Sequence, residues 1–215
     1  MIAAQRGYKL LLCLPKTASA ERKKLLKAYG AQIEFTDPLE GSDGAIRRAK
    51  AIALENPDYF YADQYNNPGT WKIHYDTTGP EVWQQTYGQI THFIAGLGTS
   101  GTFMGTLRYL KERNPLIKGV GVQPEAAFHG LEGLKHMESS IVPSIFDPHF
   151  PDLNFGAKTE DSLKWTRRLA TTEGLLVGPS SGAALSAAVS SYFGLRNDPI
   201  SNVYFTISIF FQRTI

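Results

Sequence analysis

The chain has 215 residues, room for one large domain or two small ones, and its composition, 42% hydrophobic and 20% charged, is that of an ordinary globular protein. A net charge of +2 excludes a bulk nucleic-acid binder, and the single cysteine, Cys13, excludes an internal disulfide and a cysteine-rich metal site. No apolar run reaches the roughly 18 residues of a membrane-spanning helix, and the first residues lack the pattern of a secretory signal, so the expectation is a cytoplasmic protein without membrane partners.

The chain opens on Ile2-Ala3-Ala4-Gln5-Arg6-Gly7, which reads as the last turn of a helix closed by Gly7. Residues 9–14 are nearly all apolar, as in a strand buried on both faces, and Pro15 ends the run. Cys13 lies inside it, where a packed thiol is expected rather than a nucleophile. Ser19 has the position of an N-cap, with Arg22, Leu25, Leu26 and Tyr29 at helical spacing and Gly30 closing the element. Residues 32–35 predict the next strand. Gly41-Ser42-Asp43-Gly44 predicts a turn into a helix over 45–54, ended by Pro57, and residues 59–61 predict a short strand.

Asp63-Gln64-Tyr65-Asn66-Asn67-Pro68-Gly69 is a polar loop rich in turn formers. It marks the expected boundary between a partial small domain, residues 1–66, and a large domain, residues 67–215. Residues 71–87 predict a helix interrupted at Gly79-Pro80, where the missing N–H of Pro80 suits a new helix start. After the turn discussed below, residues 118–123 read as a strand stopped by Pro124. Residues 126–140 are mixed, and residues 141–154, with Pro143, Pro148 and Pro151, read as loop. Thr159 is expected to cap a helix with Leu163, Trp165 and Leu169 on its apolar side. Residues 175–177 predict a short strand, and Gly178-Pro179-Ser180-Ser181-Gly182 leads into a small-residue helix over 183–192. Residues 203–211 form a β-prone apolar run; with an exposed strand edge it is an aggregation hazard, so poor solubility of this chain alone is expected. Strands alternate with helices throughout, which predicts an α/β protein with largely parallel sheets.

The richest stretch is Thr91 to Thr106. A short apolar β-prone run is followed by Gly96, Gly98 and Gly101 in the spacing G-x-G-x-x-G, and then by a helical pattern. Such a turn presents backbone N–H groups at a helix N-terminus, where the dipole favours an anion. Thr99, Ser100 and Thr102 add hydroxyl donors. Three readings stay open: a phosphate monoester, a dinucleotide, and glycines present only for helix–sheet packing. A dinucleotide site expects an acidic residue at the end of the next strand. Here that strand ends at the neutral Gln123 followed by Pro124, with Glu125 beyond, which favours the monoester. Ser180-Ser181-Gly182 is a second hydroxyl-lined helix start, and in a parallel sheet both turns would face one edge. Ser180 is equally well read as a plain N-cap.

These residues resemble a known family. Arg6-Gly7-Tyr8-Lys9, Glu21 to Ala31, Gln64-Tyr65-Asn66-Asn67-Pro68, Thr77 to Trp83, Gly96 to Thr102 and Ser180-Ser181-Gly182-Ala183 match, in order and spacing, the cysteine synthases (O-acetylserine sulfhydrylases) of the fold-type II pyridoxal-phosphate enzymes. The runs Ile90-Thr91-His92-Phe93 and Ile141-Val142-Pro143 resemble the B-type enzymes most. The resemblance implies two three-layer αβα domains with largely parallel sheets, incomplete at both termini, the larger one holding the cofactor phosphate and carrying a divergent tail after about residue 194. It implies pyridoxal 5′-phosphate as cofactor, with Gly98, Thr99, Ser100, Gly101 and Thr102 around its 5′-phosphate and Ser180 at the pyridine nitrogen. Gln64 would contact the substrate carboxylate and Gly133 would lie near the substrate mouth. Lys135 and His136 follow as candidates for selecting an anionic substrate, though a histidine in such a place is more often simply a surface residue. The implied reaction is β-replacement, giving L-cysteine from O-acetylserine or another activated serine and sulfide, in a homodimer.

Two departures accompany the resemblance. No lysine here matches the family's Schiff-base lysine, since Lys9, Lys16 and Lys24 stand in other contexts, and the substrate loop likewise has no counterpart; at the other end, residues 202–211 stand where the family has a strand and a Gly-Glu/Asp-Arg-Tyr-Leu-Ser-Thr turn. The chain alone is therefore expected to hold the cofactor phosphate without turnover. The rival expectations are a cystathionine β-synthase or threonine dehydratase relative, a non-catalytic binding relative, and a nicotinamide-dependent Rossmann enzyme.

Overall fold

The structure, a computed structural model, describes residues 1–194 and 205–207. The chain divides into two units, one of residues Met1–Ala62 and one beginning at Asp63.

In the first unit, α1 (Ile2–Arg6) ends on Gly7, whose left-handed φ of 71° lets Tyr8 N–H bond back to Ala3. β1 (Leu11–Pro15) and β2 (Gln32–Thr36) pair in parallel, with Leu11 opposite Gln32 and Pro15 opposite Thr36. α2 (Ala20–Ala28) connects them, and the Ser19 hydroxyl caps it by accepting from Arg22 N at 3.3 Å. β1 is only half-buried, against the expectation from its apolar run, because β2 is its one sheet neighbour among the described residues. Burial, reinforced by the nearby Glu34 carboxylate, pushes the Cys13 thiol up, which keeps it a packed thiol and not a thiolate. α3 (Gly41–Glu55) begins earlier than the glycine-rich quartet suggests. A 3₁₀ turn, Pro38–Glu40, capped by the Asp37 carboxylate, feeds straight into it. Arg48 on α3 donates to Glu34 on β2 at 2.8 Å. Residues 59–61 form no strand, and Phe60 is 90% exposed.

The second unit is built on a four-stranded parallel sheet in the order β5-β4-β3-β6: β3 (His92–Gly96), β4 (Lys118–Pro124), β5 (Leu153–Ala157) and β6 (Phe205–Ile207). Period-two alternation along β3 splits the core. Phe93 and Ala95 join Phe103, Met104, Leu107 and Leu110 of α6 (Gly101–Arg113), while Ile94 joins Val120, Val122 and the alanines 183, 184, 187 and 188 of α8 (Pro179–Gly194). Helices thus cover both faces, the three-layer arrangement the sequence predicts. The small side chains of α8 let it lie close to the sheet and against α7 (Thr159–Glu173).

Several local expectations fail for identifiable reasons. β5 begins in the last two residues of the segment 141–154, whose prolines suggest loop; among the described residues it is an edge strand, where proline-flanked segments are tolerated. Its entry is fixed by Asp152, whose carboxylate takes the Gly119 N–H at 2.8 Å and Lys111 at 2.6 Å. Although burial opposes it, these partners hold the Asp152 carboxyl below its usual range. Residues 175–177 make no strand, and Leu175 N–H turns back to Leu169 O instead. Thr159 does not cap α7; its hydroxyl accepts from Gly130 N at 3.1 Å. The helix of residues 69–85 is a relay: α4 (Gly69–Ile73), a π-turn over His74–Thr78, and α5 (Gly79–Gln85). The widened turn falls just before Pro80, which cannot donate to a carbonyl four residues back. Of the apolar run at 203–211, only Phe205–Ile207 is described, as β6 paired with β3; the rest lies outside the described residues.

Candidate functional site

β3 ends at Gly96 and α6 starts at Gly101, so Leu97 to Ser100 form the turn at the carboxyl end of a central strand. Ser100 is the residue before the helix, but it does not cap in the usual way. It sits at φ 69°, ψ −1°, a left-handed conformation that costs a non-glycine residue about 1 kcal/mol. Its hydroxyl is buried and has no hydrogen-bond partner among the described residues. Thr99 Oγ1 takes the Gly101 N–H at a long 3.4 Å, leaving its proton to donate. The other N–H groups of the first helical turn have no carbonyl four residues back. No carboxylate stands in that turn. The set is neutral, donor-rich and aimed outward from the helix, which suits a bound anion.

The three glycines are also occupied on their other sides. A Cβ at Gly98 would collide with the Gly133 carbonyl oxygen, one at Gly96 would lie 2.6 Å from Leu134, and one at Gly101 would lie 2.6 Å from both the carbonyl and the methyl of Thr70. Packing and anion binding are therefore not alternatives: the glycine hydrogens serve packing, and the backbone N–H groups remain. Thr70 also donates its hydroxyl to the Gln64 carbonyl at 3.1 Å. The loops of Gln64 and Gly133 are thus both drawn to the turn formed by Gly98 to Thr102. Gln64 is exposed, and Gly133, at φ 95°, is exposed as well. Ser180 stands half-buried in the first turn of α8, on the helix that packs against the opposite sheet face. No hydrogen bond among the described residues joins it to the glycine turn.

Two participants are absent from any motif. His74, on the π-turn, places Nε2 3.1 Å from Thr102 Oγ1 and Nδ1 2.9 Å from Thr78 Oγ1. Burial lowers its pKa, so it is neutral at pH 7 and can donate from one nitrogen while accepting at the other. Its sequence signal is only its place six residues after Pro68, inside a helix. The second is Gln123, whose Oε1 takes the Met137 N–H at 2.9 Å. That bond ties the residue at the end of β4 to the protein's own backbone, at the place where a dinucleotide site would want an acid facing the ligand. Lys135 is 4% exposed; its Nζ donates to Ile141 O at 3.1 Å and lies 5.3 Å from the Tyr65 ring, inside the protein and not at an open mouth. His136 Nδ1 meets Ser139 Oγ at 2.8 Å. A groove of about 500 Å³ opens elsewhere, on the later turns of α6 at Trp71, Tyr75, Arg108 and Glu112.

Known proteins match this arrangement. The family described as pyridoxal-phosphate dependent enzymes matches residues 1–200. The cysteine synthase of Aquifex aeolicus is 53% identical over 190 residues, covering 88% of this chain and 58% of that protein. Cysteine synthase B of Pseudomonas aeruginosa is 40% identical over 92% of this chain and 65% of its own length, and cysteine synthase A of Escherichia coli K12 is 40% identical over 87% and 63%. Among solved structures, the cysteine synthase of Entamoeba histolytica superposes with a TM-score of 0.82 at 32% identity, covering 96% of this chain and 62% of that one. An O-acetylserine dependent cystathionine beta-synthase from Helicobacter pylori superposes with a TM-score of 0.87 at 34% identity, covering 97% and 69%. The chain therefore spans 58 to 65% of the length of these curated relatives. With its parallel α/β fold, its glycine turn and these matches together, the chain belongs to the pyridoxal-phosphate dependent enzymes of fold type II, in the cysteine synthase family.

Proposed function

We propose that the protein carrying this chain makes L-cysteine by β-replacement, from O-acetylserine or another activated serine and sulfide, and that the turn from Gly98 to Thr102 holds the 5′-phosphate of its pyridoxal phosphate. The observation that carries this reading is the buried, partnerless Ser100 hydroxyl at the N-terminus of α6, in a conformation that only surrounding structure can sustain. A phosphate monoester offers acceptors to that hydroxyl, to Thr99 and to the N–H groups of the first turn. Thr102 donates to it as well, and must then accept from His74. This assigns the proton to His74 Nε2, with Nδ1 accepting from Thr78.

When bound, pyridoxal phosphate supplies the electron sink for charge developing at the substrate's α carbon. The roles of this chain are binding and orientation. Ser180 offers a neutral hydroxyl to the pyridine nitrogen, the Gln64 amide holds the substrate carboxylate, and Gly133 borders the mouth. No lysine of this chain is assigned the α-proton. A cytoplasmic homodimer completes the proposal.

The test is direct. Protein containing this chain, supplied with pyridoxal phosphate, O-acetylserine and sulfide, should release cysteine and acetate. The H. pylori relative motivates a second reading; a higher kcat/KM with homocysteine in place of sulfide would favour it. Tighter binding of NAD than of pyridoxal phosphate would overturn both.

A further inference from the structure

Residues 131–137 form a strap across the carboxyl edge of the sheet. Leu131 is fully buried in the core on the α8 side, and Met137 is buried in the core on the α6 side. The strap therefore passes from one face to the other over the ends of β3 and β4. On the way its Gly133 carbonyl presses on Gly98 and its Leu134 side chain on Gly96, while Lys135 N–H bonds Leu97 O at 2.8 Å. The first half of the glycine motif is thus the seat of the strap, and turn and strap share one packed surface that cannot shift on one side alone.

The Lys135–Leu97 bond joins backbone to backbone and any sequence could make it. The bond from Met137 N–H to Gln123 Oε1 depends on a side chain. Gln123 reaches from the end of β4 to the far anchor of the strap, and an apolar residue there would leave a buried N–H unpaired. We infer that Gln123 is a positioning residue: by holding Met137 it seats the strap, and through Gly133 and Leu134 it fixes the turn that receives the phosphate. This rests on the phosphate reading above.

Amide hydrogen exchange by NMR and titration with pyridoxal phosphate, both on this full chain, test it. Gln123→Met keeps the length of the side chain and removes the acceptor. It should speed exchange at Met137 and Lys135 at least tenfold, leave Leu110 in α6 at the native rate, and raise the dissociation constant for pyridoxal phosphate several-fold. Gln123→Glu keeps an acceptor and should behave as wild type in both. If the methionine variant does not fold, Gln123→Asn, with the amide withdrawn by one methylene, reads the same quantities. Native protection of Met137 and Lys135 in the variant would overturn the latch. Faster exchange with an unchanged dissociation constant would overturn the positioning role while leaving the phosphate reading intact. No binding of pyridoxal phosphate by the wild-type chain would overturn the phosphate reading itself, and the positioning role with it.

Discussion

The starts of α6 and α8 look alike in sequence and differ in what surrounds them. Each has glycine and paired hydroxyls, and each buries one hydroxyl without a partner among the described residues, Ser100 at 3% exposure and Ser181 at 1%. At α8 the N–H groups of Ser181 and Gly182 fold back onto Gly178 O, and a Cβ at Gly182 would collide with the Ser162 carbonyl and the Thr166 hydroxyl of α7. The backbone of that start is taken up by packing, and what it has left to offer is the Ser180 hydroxyl. At α6 Met104 N–H likewise bonds Ser100 O, at 2.9 Å, and Gly101 N–H meets Thr99 Oγ1 at 3.4 Å, but Ser100 holds a left-handed turn there. An orphan hydroxyl therefore does not define a site by itself, since Thr106 inside α6 has one too. What sets the proposed site apart is the hydroxyl together with the left-handed Ser100 and the donor-rich first turn of α6, which has no carboxylate.

The largest effects should come from adding a methyl group at each start. Gly98→Ala forces a Cβ into the Gly133 carbonyl, and Gly182→Ala forces one into the Ser162 carbonyl. Each should cost about 3 kcal/mol by overpacking, read as a lower midpoint in urea. They should part in binding. Once folded, Gly182→Ala should bind pyridoxal phosphate like wild type, while Gly98→Ala should lose more than tenfold. Equal losses in both variants would erase the distinction between the two starts.

Serine substitutions are gentler and sharpen the same contrast. Ser100→Gly relieves the positive φ and should stabilise the fold by about 1 kcal/mol, yet weaken pyridoxal phosphate about tenfold through the loss of a charge-assisted hydrogen bond. Ser181→Ala removes a buried, unpaired hydroxyl and should stabilise by about 1 kcal/mol with binding unchanged. Thermal melts with and without pyridoxal phosphate check both, and a weakened Ser181→Ala complex would count against the assignment.

What the sequence revealed and what it hid follow one line. Features set by local chemistry were legible: the Ser19 cap, the Gly7 and Gly30 helix ends, the β3–turn–α6 unit and the parallel alternation around it. Features set by partners distant in sequence were not. β5 exists because β4 offers it a ladder. Thr159 looks like a cap, but Gly130 claims its hydroxyl. Within the site, hydroxyls and glycines announced the turn, whereas His74 and Gln123 sit in a helix and at a strand end with no motif around them. Their roles arise from contacts with Thr102 and Met137, 28 and 14 residues away.

The smallest expected effect concerns that histidine and acid. Burial depresses His74, and also His92 and His129, below the ordinary histidine value of 6.5. A histidine with a depressed folded pKa binds fewer protons folded than unfolded, so stability is highest above about pH 6.5 and falls as pH drops toward the folded value. The melting temperature should decline by a few degrees between pH 7.5 and 5.5. His74→Gln removes one of the three contributors while retaining a side chain able to donate and accept, so the decline should shrink but persist. Because Thr102 stands between His74 and the proposed phosphate site, the bound anion favours the protonated imidazole, so pyridoxal phosphate should lessen the decline in the wild type more than in the variant. For α8, whose start has no histidine partner in the structure's described residues, Ser181→Ala should leave the pH profile unmoved. An identical decline in wild type and His74→Gln would mean that His92 and His129 carry all of it and that the Thr78–His74–Thr102 relay is not sensed by folding.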